Sequence, residues 1–161
     1  KEGEKYLKEA CSKGWEGLIA KDAQSRYIHS RSKKWLKFKC YNQQELVICG
    51  YTAPHGEREH FGALIVGYYH DGELKHAGKV GTGYDEATLK RVHEKMKPLE
   101  RQNKPFQEDI PHYKDVTWIK PELVGEFRFT EWTDKNRLRH PAFLGLRSDK
   151  KAIEVTKEVA E

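Results

Sequence analysis

Residues 61–80, FGALIVGYYHDGELKHAGKV, hold two β-strand patterns separated by an Asp-Gly pair. The first, Phe61–Tyr69, is apolar and aromatic, and it is interrupted by two glycines, which inside a strand are typical of a bulge or a sharp bend. Asp71-Gly72 is a pair that two-residue hairpin turns prefer, and Leu74–Val80 continues as the next strand. This stretch therefore predicts a bent β-hairpin.

The sequence on either side of the hairpin adds further strands and one helix. Glu45–Thr52 (ELVICGYT) predicts the preceding strand, and Asp85 can cap a helix that runs to about Met96. Downstream we predict strands at Val116–Ile119, at Leu123–Trp132 and beginning at Arg137–His140, and a short helix over Ala152–Val159. Three strands, a helix and two strands follow the order of the OB-fold. We therefore predict a mainly β protein with a five-stranded Greek-key barrel and a helix between its third and fourth strands.

The charge of the chain is divided unevenly. The 161 residues include 30 Lys and Arg and 25 Asp and Glu. Residues 1–42 hold 11 basic and 5 acidic residues, which gives this segment a net charge of +6. Residues 43–161 hold 19 basic and 20 acidic residues, a net charge of −1. Because 42 residues are too few for a core of their own, we interpret residues 1–42 as the end of a preceding domain. Residues 43–161 are then the OB-fold domain.

The first segment places basic residues on a strand pattern. Weak helical periodicity covers Lys1–Ser12, and strands are predicted at Trp15–Lys21 and at Trp35–Cys40, where alternation puts Lys37 and Lys39 on one face. From Arg26 to Lys39 there are 6 basic residues and no acidic one. An unneutralised cluster of this kind suits a polyanion such as nucleic acid or nucleotide phosphate. A solvated basic loop is the alternative interpretation.

Other patterns exclude or disfavour several functions. No apolar run approaches the roughly 20 residues of a membrane span, and no leader pattern is present, so we expect neither a membrane nor a secreted protein. The three cysteines (Cys11, Cys40 and Cys49) are an odd number without a C-x-x-C pair, which predicts a reduced, intracellular chain. The histidines lack the spacing of a zinc site. Gly81-Thr82-Gly83 suits either a phosphate-binding turn or a plain turn from a strand into a helix.

Three segments together resemble a known set of motifs. They are Glu16–Lys21 (EGLIAK), Ser32–Lys39 (SKKWLKFK) and Arg139–Lys150 (RHPAFLGLRSDK). In order and spacing they resemble the last three motifs of the covalent nucleotidyltransferases: an EG-x-x-x-K strand, a W-x-K-x-K strand and the R-x-D-K element of the OB-fold domain. The chain is similar to the ATP-dependent DNA ligases of bacterial non-homologous end joining, of the ligase D type, from about Gly14 to Val155.

This resemblance implies a reaction and its cofactors. Such ligases form a lysyl-AMP intermediate, pass the AMP to a DNA 5′-phosphate and then seal the nick with the 3′-hydroxyl. ATP and a divalent metal ion, Mg²⁺ or Mn²⁺, are therefore the expected cofactors, and DNA repair and recombination the expected process. Each step develops negative charge on phosphoryl oxygens, so the chemistry depends on positioning and on cations.

The resemblance also implies roles for individual residues. Glu16 would bind the metal ion, and Lys21, which strand alternation puts on the face opposite Glu16, would bind the nucleotide. Lys37 and Lys39 would contact the α-phosphate of ATP or AMP. The R-x-D-K residues would engage the β- and γ-phosphates and orient pyrophosphate as the leaving group; they are Arg147, Asp149 and Lys150.

One departure from the family pattern concerns the nucleophile, which is the lysine of a K-x-D-G motif. The x-x-D-G of this chain, Tyr69–Gly72, begins with tyrosine and lies in the predicted hairpin. We therefore expect the chain to be the C-terminal part of a ligase and to be inactive by itself.

The expected partners follow from the same resemblance. They are nicked or broken duplex DNA and end-joining proteins such as Ku, met in the bacterial cytoplasm at the nucleoid. A monomer is expected, although the unpaired sheet edges of residues 1–42 would allow a dimer in a truncated chain. The alternatives are a stand-alone OB-fold module that binds single-stranded nucleic acid and a nucleotidyltransferase that acts on RNA ends.

Overall fold

The structure is a computed structural model that describes residues 2–26 and 34–158. The chain divides into two compact units, Lys1–Asn42 and Gln43–Glu161. Arg31 and Lys33, two members of the basic cluster, lie outside the described residues. None of the helices in the described ranges is long and apolar enough to cross a membrane.

The first unit consists of a helix and a two-stranded hairpin. Helix α1 (Glu2–Ser12) is followed by β1 (Gly17–Lys21), which pairs antiparallel with β2 (Trp35–Lys39). Of the residues that the structure describes in this unit, Ala10 alone is buried. Five large apolar side chains expose between 44% and 60% of their surface, namely Tyr6, Trp15, Ile19, Leu36 and Phe38. The hairpin therefore has little core of its own.

Steric constraints explain why glycine occupies position 17, after Glu16. Gly17 has a φ of +151°, and a Cβ atom built there would overlap the backbone of Phe38 on the neighbouring strand. Only glycine combines this backbone angle with so close an approach. The approach fixes a register in which Gly17 lies opposite Lys39 and Lys21 lies opposite Trp35.

The second unit is the OB-fold barrel, which confirms the predicted fold. In chain order its elements are β3 (Asn42–Thr52), β4 (Leu64–His70), β5 (Glu73–Val80), α2 (Glu86–Met96), β6 (Glu100–Arg101), β7 (Val116–Ile119), β8 (Val124–Phe129), β9 (Glu131–Trp132), β10 (Leu138–Arg139) and β11 (Ala142–Arg147). The main sheet has the order β11-β8-β3-β4-β5, while β7 pairs with both β3 and β6. Strands β9 and β10 form a separate small hairpin. This is the strand order of a Greek-key barrel with α2 between its third and fourth main strands.

The hairpin and the helix that the sequence predicts are both present. Asp71 and Gly72 have φ values of +51° and +75° at the β4–β5 turn, as a two-residue turn of this kind requires. The pairing of β4 with β5 shifts register between Val66 and Gly67, so one of the two glycines marks a bulge. Asp85 caps α2, since its carboxylate accepts a hydrogen bond of 2.7 Å from the Thr88 amide.

The core of the barrel collects apolar residues from every main strand and from α2. Phe127 of β8 and Phe61, just before β4, are fully buried and are among its largest side chains. Helix α2 covers one side of this core with three buried residues, Leu89, Val92 and Met96. Burial on this scale is the main source of stability in a small domain.

A buried histidine of β5 bonds to partly exposed polar residues at the edge of this core. His76 of β5 is 1% exposed, and its Nε2 lies 2.7 Å from the Tyr113 hydroxyl. The amide of His76 donates to the Glu108 carboxylate, and its carbonyl accepts from Arg137 Nη1 at 2.7 Å. Burial, and to a smaller extent the charge of Arg137, lower the pKa of His76 to about 4. The imidazole is therefore neutral at pH 7.

The strands after residue 123 differ from the sequence-based prediction. The single strand predicted over Leu123–Trp132 is divided into β8 and β9, and the strand predicted at Arg137–His140 is the short β10, which pairs with β9 rather than entering the main sheet. His140 has a φ of +49° and is followed by Pro141, which has no amide hydrogen to donate. The ladder is interrupted at these two residues, and the last main strand, β11, begins after them.

The predicted helix over Ala152–Val159 is wrong for the residues that the structure describes. A single 3₁₀ turn covers Ala152–Glu154, and the chain is then extended. The Tyr69 amide donates to the Val155 carbonyl, and Thr156 forms a bridge with Tyr69. Val155 is 1% exposed. Its burial and this pairing with β4 outweigh the local helical preference.

The expectation of fully reduced cysteines is also wrong. Cys11, in the last turn of α1, forms a disulfide with Cys40, the residue after β2, and Cys49 is free and buried. Spacing along the sequence does not reveal this pair because α1 and the end of β2 meet only in the folded hairpin. The disulfide gives the first unit a covalent link where its packing is sparse.

Candidate active site

The first group of candidate residues lies on the hairpin of β1 and β2. Residues directly opposite in an antiparallel pair share a face, and faces alternate along each strand. The register therefore places Lys21, Lys37 and Lys39 on the same face. Lys21 Nζ lies 4.2 Å from the centre of the Trp35 ring, which belongs to that face as well. Three ammonium groups thus share one side of the hairpin.

These lysines have no acidic partners among the described residues. No carboxylate of residues 2–26 or 34–158 forms an ion pair with Lys21, Lys37 or Lys39. Lys39 Nζ instead lies 5.5 Å from the centre of the Tyr41 ring. Aromatic faces stabilise a cation without neutralising its charge. The lysine face therefore keeps the positive potential that a phosphate requires.

Glu16 lies immediately before β1. Its backbone carbonyl accepts a hydrogen bond of 3.0 Å from the Cys40 amide, and its side chain is exposed. The sequence-based prediction put Glu16 and Lys21 on opposite faces of one strand. Because β1 begins only at Gly17, Glu16 lies outside that strand and the alternation does not assign it a face. The described residues contain no group of three His, Cys, Asp or Glu side chains that could hold a metal ion. A single exposed carboxylate fits Mg²⁺, which usually takes one or two carboxylates and completes its shell with water and substrate phosphate.

The second group lies where β11 ends. Arg147 Nε and Nη2 donate to the two carboxylate oxygens of Asp149 at 2.9 and 2.8 Å. This is the bidentate geometry that guanidinium groups form with carboxylates and phosphates. Hydrogen bonding to Arg147 lowers the pKa of Asp149 to about 2, and the same contacts raise the pKa of Arg147. The pair is therefore fully charged near neutral pH.

Two further carboxylates complete the second group. Arg147 Nη1 lies 3.0 Å from Glu126 Oε2 and 3.2 Å from Glu45 Oε1. Glu45 also reaches Lys150, with 3.3 Å between its Oε2 and Lys150 Nζ. Two cations thus lie against three carboxylates, a net charge of −1 for this cluster.

Sequence reasoning did not identify Glu45 or Glu126. Glu126 lies opposite Gly145, and Arg147 lies opposite Val124, so Glu126 and Arg147 are diagonal neighbours on one face. Glu45 belongs to β3, which is separated from β11 by β8 in the sheet. Alternation in β8 indicates that Glu126 points away from Phe127 and the core. No signal in the sequence pairs it with Arg147, because the register of β8 with β11 is set by the fold.

The Gly81-Thr82-Gly83 turn packs against β11. The Thr82 carbonyl accepts a hydrogen bond from the Phe143 amide, and a Cβ atom on Gly83 would overlap the Phe143 backbone. Gly83 has a φ of +100°. Of the two interpretations of these glycines, the contacts favour the plain turn from a strand into a helix.

The candidate residues therefore form two groups, one in each unit. The hairpin brings together Lys21, Lys37 and Lys39 on one face, with Glu16 just before it in the chain. The end of β11 brings together Arg147, Asp149 and Lys150 with two glutamates. The first group carries unneutralised positive charge, and the cations of the second group are paired with carboxylates.

Comparisons with known proteins give a consistent result. Residues 57–150 match the family described as the ATP dependent DNA ligase C terminal region. The multifunctional non-homologous end joining protein LigD of Pseudomonas aeruginosa is 42% identical over 157 residues, which cover 94% of this chain and 19% of that protein. The chain spans about a fifth of the length of the curated relatives it matches.

Two solved structures are also similar to this chain. The crystal structure of the ligase domain from M. tuberculosis LigD is 41% identical with a TM-score of 0.75, and the match covers 97% of this chain and 52% of that one. A mycobacterial DNA ligase D complexed with ATP and MES is 40% identical with a TM-score of 0.70, covering 97% and 51%.

Proposed function

Since the chain belongs to the ATP-dependent DNA ligase C-terminal region family, we propose that it is the C-terminal part of a ligase that joins nicked or broken duplex DNA. The joining would proceed through lysyl-AMP and DNA-adenylate. The observation that carries this proposal is the pair of cation groups at the positions of the family motifs. Each group offers cationic hydrogen-bond donors of the kind that bind phosphate.

The lysine face supports a role at the α-phosphate. Attack on this phosphorus spreads negative charge over its oxygens, and cations fixed nearby stabilise that charge. Lys37 and Lys39 lie two residues apart on β2, and the pairing of β2 with β1 keeps both on one face of the hairpin. Lys21, on the same face, adds a third charge and would bind the nucleotide.

The second group supports a role at the β- and γ-phosphates. In the proposal Arg147 and Lys150 contact the phosphates that leave as pyrophosphate, and Asp149 orients the guanidinium. The bidentate edge of Arg147, now against Asp149, has the geometry that also matches a phosphate. These residues would promote departure of pyrophosphate by lowering the energy of its developing charge.

A divalent metal ion and ATP complete the proposed site. Mg²⁺ or Mn²⁺ held near Glu16 would supply positive charge to the phosphate oxygens during adenylation. ATP is the expected nucleotide because the family is ATP dependent and one similar ligase is described as complexed with ATP.

DNA and end-joining proteins are the proposed partners. With a net charge of −1 for residues 43–161, the barrel should bind nicked duplex DNA weakly, and the binding should be salt-sensitive, since neutralised phosphates dominate such affinity. Proteins that hold broken ends, such as Ku, are proposed because the Pseudomonas relative is named as an end joining protein.

A chimera tests the proposal. In it, this chain replaces the matching 157-residue region of the Pseudomonas protein, and sealing of a nicked duplex is measured. We expect the chimera to ligate, and we expect Lys37→Ala and Arg147→Ala each to lower the rate by about 100-fold or more. Lys90→Ala, an exposed lysine on α2, is the matched control and should leave the rate unchanged. A folded chimera without ligation, or one that ligates normally after Lys37→Ala, would refute the proposal.

The chain by itself provides a second test. With ATP labelled at the α-phosphate it should acquire no label, because its x-x-D-G begins with Tyr69. Tight binding to single-stranded DNA that survives alanine at Lys37, Lys39 and Arg147 would instead support the stand-alone module. A chimera that seals RNA ends in preference to nicked DNA would support the RNA-end alternative.

A further inference from the structure

Glu45 and Glu126 hold Arg147 from rigid positions. Glu126 lies within β8 and Glu45 within β3, while Asp149 lies in the chain after β11 has ended. The side chains of the two glutamates are 15% and 17% exposed, whereas that of Asp149 is 66% exposed. The glutamates are therefore fixed by the sheet and partly screened from water, and Asp149 is neither.

The three carboxylates also use different edges of the guanidinium. Glu45 and Glu126 contact Nη1, and Asp149 takes Nε and Nη2. A phosphate that displaced Asp149 would take over this bidentate edge. The glutamates would remain on Nη1 and keep that edge facing outward.

Their charge has a second consequence. Glu45 contacts both cations of the group, Arg147 and Lys150, through its two oxygens. When a polyphosphate binds to these cations, Glu45 and Glu126 remain beside them and repel it. The site then holds a polyphosphate less tightly than two free cations would.

On these grounds, and resting on the proposed function, we propose that Glu45 and Glu126 are positioning residues that act through Arg147 and Lys150 and limit the affinity of this site for polyphosphate. An enzyme that expels pyrophosphate benefits from weak retention of it. The two glutamates orient the guanidinium and, at the same time, favour release of the leaving group.

Direct binding of inorganic tripolyphosphate and pyrophosphate to the 161-residue chain tests this inference. Titration would be followed by NMR at the Arg147 Nε–H signal and by calorimetry at low salt. We expect Glu45→Gln and Glu126→Gln, which keep size and a hydrogen-bond acceptor, each to tighten binding about threefold to fivefold. Because the effect is electrostatic, the gain should shrink as ionic strength rises.

Two comparisons separate this role from a general effect. Glu94→Gln removes the same charge from an exposed site on α2 and should change affinity by less than about twofold. In an Arg147→Ala background, Glu126→Gln should lose most of its effect, since the two residues then no longer couple.

The outcomes distinguish the inference from the proposed function. Unchanged or weaker binding in both glutamine variants, or an equal gain from Glu94→Gln, would overturn the inference alone. Failure of every variant to bind polyphosphate would overturn both the inference and the role proposed for Arg147. Failure of the chimera to ligate, with the glutamine gain intact, would count against the proposed function only.

Discussion

The hairpin unit and the barrel hold their cations in opposite ways. On the hairpin Lys21, Lys37 and Lys39 share a face without a carboxylate partner in the described ranges, whereas Arg147 and Lys150 of the barrel lie against three carboxylates. In the proposed function the lysine face would accept a phosphate without releasing another group. The barrel group would exchange a carboxylate for a phosphate. The net charge of each unit would have suggested a binding site only in the first unit. The motif residues, in contrast, lie in both units.

The two regions also differ in what stabilises them. The barrel buries large side chains from all of its main strands, and the described part of the hairpin unit buries only Ala10 and carries a disulfide. Packing should therefore determine the stability of the barrel, and the covalent link that of the hairpin. The four predictions below test this comparison, in order of decreasing effect.

The largest effect is expected in the barrel core. Phe127 is fully buried and its ring contacts Phe143 edge-on, so Phe127→Ala should lower the free energy of unfolding by about 3–5 kcal/mol, through lost burial and a cavity. Phe38→Ala is the matched change in the hairpin, where the side chain is 44% exposed, and should cost about 1 kcal/mol or less. Urea unfolding followed by circular dichroism measures both. Equal losses would contradict the contrast in packing.

The second effect concerns the Cys11–Cys40 disulfide. The bond closes a loop with a sequence separation of 29 residues, and in the chain-entropy account a cross-link over a loop of that length stabilises the fold by about 3.6 kcal/mol. Reduction, or serine at both positions, should therefore accelerate amide hydrogen exchange throughout the hairpin unit. The barrel in the same sample is the control and should exchange at its original rate. Uniform exchange in both units, or none of the expected acceleration, would show that the bond does not support the hairpin.

The third effect depends on pH and on His76. Its pKa falls from an ordinary value of 6.5 to about 4 in the folded barrel, so the unfolded chain binds a proton at higher pH than the folded one. Its contribution to stability is full above pH 6.5 and is lost as the pH falls towards 4. The loss should be about 2–3 kcal/mol between pH 7 and pH 4, since one pKa unit corresponds to about 1.4 kcal/mol. His76→Gln should show a shallower decline in unfolding free energy between pH 7 and 4; an identical decline would mean that His76 is not responsible.

The smallest effect on stability is expected at Asp149. Contact with Arg147 lowers its pKa from 3.8 to about 2, so its contribution is present above pH 3.8 and is lost as the pH falls through 2. The Asp149 side chain is 66% exposed, so the change in unfolding free energy should be small. NMR titration of the carboxyl carbon should show the pKa of Asp149 returning towards 3.8 in Arg147→Ala. As a control, Lys37→Ala, which removes a cation from the hairpin, should leave the titration of Asp149 unchanged.

Much of the barrel could be predicted from local sequence, and the reasons are specific. The Asp71-Gly72 turn, the cap at Asp85 and the apolar stretch before residue 70 each depend on neighbours within a few positions. Two errors occur where distant residues decide. Val155 is extended because it lies beside Tyr69 and is buried, and Cys11 is joined to Cys40 across 29 positions.

In the candidate site, too, some features depend on local sequence and others on residues that are distant in the chain. The motifs indicate Lys37, Lys39 and Arg147 because their spacing is local, and strand alternation already places the lysine pair on one face. The cross-strand register adds Lys21 to that face, which alternation along a single strand could not do. Glu45 and Glu126 carry no motif and reach Arg147 only through the sheet order β11-β8-β3.

The sequence by itself determined the order of strands and helix, the turn and cap residues, the uneven division of charge and the motif spacing. These depend on backbone preferences and side-chain types that act over a few residues. Only the tertiary structure decided that Cys11 and Cys40 are joined, that Lys21 shares a face with Lys37 and Lys39, and that two strand-borne glutamates surround Arg147. Each of these contacts joins residues far apart in the chain, so register and packing must be settled before the contact exists.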